Sequence, residues 1–158
     1  MKAILNWKQG MSFTGSADSG HTVQMDAGAS VGGGNSGIRP MEMIALGLAG
    51  CTGMDVISIL QKKRQQITQF DVQVNADRST DHPKVFTRAV ITYVVVGKSV
   101  DEDAVLRSIE LSATKYCPVH AMLEQAFPID MHYEIYEDHE VGEKQLIYQG
   151  VYQNLFQE

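Results

Sequence analysis

One stretch constrains this chain more than any other. From Met41 to Leu60, apolar side chains occupy nearly every face of a helix, and Pro40 stands directly before it. A proline at the first helical position costs nothing, because its missing N–H would have no intrahelical partner there. A helix apolar on all sides must be buried on all sides. Gly47, Gly50 and Gly53 recur inside it, each costing ~1 kcal/mol of helix propensity relative to alanine. Close approach of another backbone is the usual compensation. One short chain has difficulty covering such a helix, so the pattern predicts a homodimer. A membrane span is the other way to bury it, but Glu42 and Asp55 leave an uncharged run of only 12 residues. About 18 are needed to cross a bilayer, so no membrane partner is expected.

At 158 residues, 44% of them hydrophobic, the chain fits one domain that buries about two thirds of its unfolded surface. Neither a disulfide, a structural metal nor a cofactor is required to hold it. The formal net charge of −6, with Lys62, Lys63 and Arg64 as the only basic cluster, argues against nucleic acid as a partner. That cluster reads as the solvated end of the helix. The opening MKAILNW is too short an apolar run for a signal peptide, which leads us to expect a cytoplasmic protein. In that reducing compartment Cys51 and Cys117 are free or redox-active thiols rather than a staple.

The remaining pattern is α+β. Lys2–Trp7, Met11–Thr14 and His21–Met25 are separated by glycines and read as a small antiparallel meander. Gly28–Gly37 contains three consecutive glycines but not the spacing of a phosphate loop, and reads as a mobile loop. Phe70–Arg78 alternates, Val85–Val96 is rich in β-branched residues, and Asp81-His82-Pro83 turns between them. Ser99 with Glu102 forms a capping-box pattern before a helix with Val105, Ile109 and Leu111 inward. Pro118 opens a short helix to about Ala126, and Ile129–Tyr136 is a strand. The stretch from Glu137 to Glu158 is either a further hairpin (Gln145–Tyr148 with Val151–Phe156) or a partner-binding arm.

Of the two cysteines, Cys117 has the clearer local rationale. It precedes Pro118, at a helix N-terminus, where free N–H groups and the helix dipole favour a thiolate. A buried apolar filler is the equal alternative. Cys51 lies mid-helix, where burial alone makes a thiol inert unless a cation or donor reaches it. Arg39 is the nearby cation. Asp55, four residues on, opposes a thiolate by its charge. His120 lies one turn after Cys117, but a Cys-His pair without further cysteine ligands is a poor metal site.

The run Pro40-Met41-Glu42-Met43-Ile44-Ala45-Leu46-Gly47-Leu48-Ala49-Gly50-Cys51-Thr52, followed later by Tyr116-Cys117-Pro118-Val119, resembles the OsmC/Ohr family of organic hydroperoxide reductases. The likeness is closest to the lesser-characterised OsmC-like branch. It covers residues 1–136 as one domain, with 137–158 as an extension. It implies antiparallel sheets packed around a long central helix in an intertwined dimer. It implies an organic hydroperoxide substrate, an external dithiol reductant and a role in oxidative stress. Cys51 becomes the peroxide-attacking cysteine and Cys117 the resolving one, reversing the local ranking. The well-studied reductases place Glu directly after the proline, where this chain has Met41, with Glu42 one step later. Their activating Arg comes from an earlier loop, yet Ser12–Gly37 contains no Arg. Glu42 and Arg39 are the candidate substitutes. These departures leave a competing reading, a dimeric module that binds a small apolar ligand without turnover.

Overall fold

The computed structural model describes residues 1–139 and 143–152 and divides into two compact units, Met1–Leu46 and Gly47–Glu158. Helix α1 (Pro40–Lys62) crosses the boundary between them.

In the first unit, β1 (Ala3–Gln9), β2 (Ser12–Ala17) and β3 (Thr22–Met25) form the expected antiparallel meander. Gly10 makes the first turn with φ +53°, a left-handed conformation that a side chain disfavours. After β3 the chain does not run free. Asp26 accepts hydrogen bonds from the backbone N–H of Ala27 (2.7 Å), Gly34 (3.0 Å) and Ser36 (2.9 Å) and from the Ser36 hydroxyl (2.8 Å). The glycine run serves this closure: a Cβ on Gly33 would lie 2.0 Å from the Ala27 carbonyl oxygen. A loop expected to be mobile is therefore pinned by one carboxylate.

The second unit holds a four-stranded sheet in the order β4 (Gln66–Arg78), β5 (Phe86–Lys98), β6 (Ile129–Asp138), β7 (Lys144–Tyr152). β5 and β6 run parallel and the other pairs antiparallel. The parallel pair follows from the crossover between them, α2 (Glu102–Leu111), a π-helical turn (Ser112–Tyr116) and α3 (Pro118–Leu123). Alternate residues of β5, namely Ala89, Ile91, Tyr93 and Val95, are buried. The core they enter also contains Leu48, Val56 and Leu60 of α1, Val105 and Ile109 of α2, and Tyr133 and Ile135 of β6. Each such large side chain contributes about 1.5–3 kcal/mol on burial.

Four local expectations are corrected. α1 is not buried all round within one chain. Thr52, Gly53, Val56 and Leu60 face inward, but Met54 is 74% and Leu46 56% exposed. Of its glycines only Gly53 is approached closely, by the side chain of Val72, at 3.1 Å from a notional Cβ, while Gly47 and Gly50 meet nothing within 4 Å. By length and composition α1 could cross a membrane, and three of its side chains, Leu48, Val56 and Leu60, belong to the core. The Ser99–Glu102 capping box does not form. Asp101 caps α2 through Asp103 N–H, Ser99 sits at φ +49° with its N–H on Glu137, and the Glu102 carboxylate accepts the Tyr133 hydroxyl at 2.6 Å. Finally, the expected terminal hairpin is one strand. β7 runs unbroken through Gln145–Tyr148 and Val151 and pairs with β6, and the remainder, to Phe156, lies outside the described residues.

Candidate active site

The second unit brings the two cysteines together. Cys51 is half-buried on α1, Cys117 is buried at the start of α3, and both are free thiols. The π-helical turn delivers Cys117: its N–H donates to the Ser112 carbonyl at 2.9 Å, and its sulfur accepts the His120 N–H at 3.3 Å. The helix-start position thus provides the donor anticipated from sequence, but burial outweighs it. Burial pushes the Cys117 thiol up to about 12, and hydrogen bonding and charge from Cys51 push the same way against the His120 and Val119 N–H groups. Cys117 is therefore a protonated thiol near neutrality, not the thiolate that its helix-start position suggested.

A buried chain of hydroxyls runs beside the cysteines. Thr52, next to Cys51, lies 2.6 Å from the Tyr93 hydroxyl and 2.9 Å from that of Ser112, which donates to Asp55 at 3.1 Å. Because the Asp55 carboxylate only accepts, proton directions along the chain follow: Tyr93 donates to Thr52, Thr52 to Ser112, and Ser112 to Asp55. Burial raises the Tyr93 pKa, and the charges of Cys117 and Asp55 add to the rise. Asp55 was expected only to oppose a thiolate; it also terminates this chain.

His120 is buried, and neither ring nitrogen has a hydrogen-bond partner among the described residues. Glu124 Oε2 stands 3.6 Å from Nδ1, beyond hydrogen-bond reach. Burial lowers the imidazole pKa, with Glu124 opposing, so the ring is neutral near pH 7. Among the described residues no three His, Cys, Asp or Glu side chains gather around a common point.

Arg39 and Glu42 belong to the first unit and pair with each other. The guanidinium donates to Glu42 Oε1 at 2.7 Å and to Asn35 at 2.8 Å, and the Arg39 N–H donates to Glu42 Oε2 at 2.9 Å. These contacts hold the Glu42 carboxyl below its ordinary range. Sequence reasoning missed Tyr93, Ser112 and the functional potential of Thr52. Their partners lie 41 and 60 residues apart, and no local spacing signals them.

Residues 33–132 match the model of the family described as OsmC-like protein. The chain belongs to the OsmC family. It is 39% identical over 138 residues to Protein YhfA of Escherichia coli K12, covering 85% of this chain and 98% of that protein. A hypothetical protein from Aquifex aeolicus superposes with a TM-score of 0.76 at 28% identity, over 87% of this chain and 97% of that one. The organic hydroperoxide resistance protein OsmC of Legionella pneumophila has a TM-score of 0.60 at 10% identity, over 85% and 96%, which is a likeness of fold.

Proposed function

We propose that this OsmC-family protein is a thiol-dependent peroxidase that reduces organic hydroperoxides through a Cys51–Cys117 disulfide cycle. The observation that carries the reading is the pairing of a half-buried thiol with a buried, protonated one. The Cys51 thiolate attacks the distal peroxide oxygen, the O–O bond breaks, and the alkoxide leaves as the alcohol after gaining a proton. Cys51 is then a sulfenic acid. Cys117 attacks its sulfur, and the proton that Cys117 still holds combines with the departing hydroxide to form water. A thiol pushed up to about 12 suits that step, because it brings the proton the leaving group needs. An external dithiol restores both cysteines. Arg39 and Glu42 are assigned as the polar pair serving Cys51, and the apolar character of α1 favours an alkyl substrate.

In this reading the protein works in the cytoplasm as a homodimer; the dimer is supported by the exposed apolar face of α1 and by the open sides of Gly47 and Gly50. The non-catalytic binding module keeps one supporting observation: Arg39 is already engaged by both Glu42 and Asn35. Intact-mass measurement after treatment with an alkyl hydroperoxide separates the two. Cys117→Ser should gain oxygen at Cys51 and Cys51→Ser should change little. No oxidation of either variant, and no disulfide in the parent, would leave the binding module standing.

A further inference from the structure

The second unit contains a cavity of about 630 Å³ whose wall includes Cys117 but not Cys51. That size suits a small organic ligand. Its lining is polar rather than apolar: Lys115, His120, Glu124, Asp130 and Tyr152 contribute. Lys115 supplies an ammonium, held 5.3 Å from the Tyr116 ring centroid. Glu124 and Asp130 supply carboxylates, the latter ion-paired to Arg88 at 2.5 Å. An alkyl hydroperoxide has no use for such a wall. A small thiol carrying both an ammonium and a carboxylate does.

We propose that this cavity admits the reductant, a small hydrophilic thiol bearing both charges, which attacks the Cys117 sulfur of the Cys51–Cys117 disulfide. The proposal rests on the disulfide cycle above and adds which sulfur is attacked, from which side and by what class of thiol. The incoming S–H gives its proton to the His120 imidazole, whose ring nitrogens have no partner among the described residues. The thiolate bonds to Cys117, the disulfide breaks, and its electron pair leaves on Cys51. A second thiol group, from the same dithiol or another monothiol, attacks the external sulfur. The products are the oxidised reductant and two reduced cysteines, with the two thiol protons ending on the cysteines. Attack at the other sulfur would expel Cys117, a poor leaving group because its thiol is pushed up to about 12.

The test begins by closing the disulfide with diamide, so it reads out whether or not the protein reduces peroxides. The oxidised protein is treated with glutathione, which carries both charges, or with uncharged 2-mercaptoethanol, quenched with acid and peptide-mapped. The mixed disulfide is expected on Cys117. Ala121→Trp, at an exposed position on the cavity wall, should slow reduction by glutathione about tenfold, and Lys115→Glu should slow glutathione several-fold while leaving 2-mercaptoethanol unaffected. Circular dichroism checks that both variants fold. An adduct on Cys51, or equal rates for both thiols in all three proteins, would overturn the proposal while leaving the peroxidase reading intact. Peroxide inertness with the expected adduct on Cys117 would do the reverse, and failure of diamide to join the cysteines would sink both.

Discussion

The two units treat acids in opposite ways. In the first, Asp26 collects four donors and its carboxyl falls to about 2, while Arg39 lowers Glu42. In the second, burial raises Cys117 and Tyr93 and lowers His120. Asp26 and Glu42 are held as anions, whereas Cys117 and Tyr93 are held protonated and His120 neutral. The cause is the supply of donors. Asp26 sits where a glycine-rich turn aims backbone N–H groups at it, whereas Cys117 has a few N–H groups set against nearly complete removal from water.

The largest effect that could break this contrast is on turnover. Cys51→Ser should abolish hydroperoxide reduction, by roughly a thousandfold or more, as expected for loss of a nucleophile. Steady-state assays with an alkyl hydroperoxide check it, and a surviving rate would remove Cys51 from the chemistry. Next comes the hydroxyl chain. Thr52→Val keeps the shape but leaves the Tyr93 and Ser112 hydroxyls short of a partner, at an expected cost of about 1–3 kcal/mol in urea unfolding. A variant as stable as the parent would mean that the chain is not closed in solution.

The opposed shifts also predict two separate pH limbs. The folded pKa of Asp26 is below its ordinary 3.8, so its contribution to stability is present above that value and is lost as pH falls toward about 2. That of Cys117 is above its ordinary 9.0, so its contribution is present below pH 9 and is lost as pH rises toward about 12. Asp26→Asn should flatten only the acid limb of a Tm-against-pH curve, and Cys117→Ser only the alkaline one. If both variants change the same limb, the division between units fails.

What the sequence made legible follows from the range of the forces involved. The meander, α1, the β4–β5 pair and the Cys117–Pro118 helix start are local patterns, and they were readable. The parallel pairing of β5 with β6 joins residues 40 apart, Ala89 to Ile129, and no periodicity announces it. Ser99 had the better capping signature, but a contact to Glu137, 38 residues away, removed it from the cap. The same limit explains the cysteines. A helix start is visible in sequence, whereas the burial that reverses its effect on Cys117 depends on the whole core. The Thr52–Tyr93–Ser112 contacts are wholly of this second kind.

The smallest expected effect tests whether the two units cooperate. Arg39 and Glu42 form an ion pair with both side chains about half exposed, and such pairs contribute only about 0–1 kcal/mol to stability. Arg39→Ala should therefore leave unfolding almost unchanged. Its consequence should appear at Cys51 instead. A guanidinium serving that thiol stabilises the thiolate over the thiol, so its removal should move the pH midpoint of Cys51 alkylation upward. Cys117→Ser is the background for the measurement, since one reactive sulfur then reports alone. Arg39→Lys should recover part of the shift, because it restores the charge but not the paired donors that hold Glu42 and Asn35. An alkylation profile identical in parent and Arg39→Ala would reduce Arg39 to a charge at a helix start. It would also strengthen the binding module, since a peroxidatic thiol needs a group that favours its thiolate.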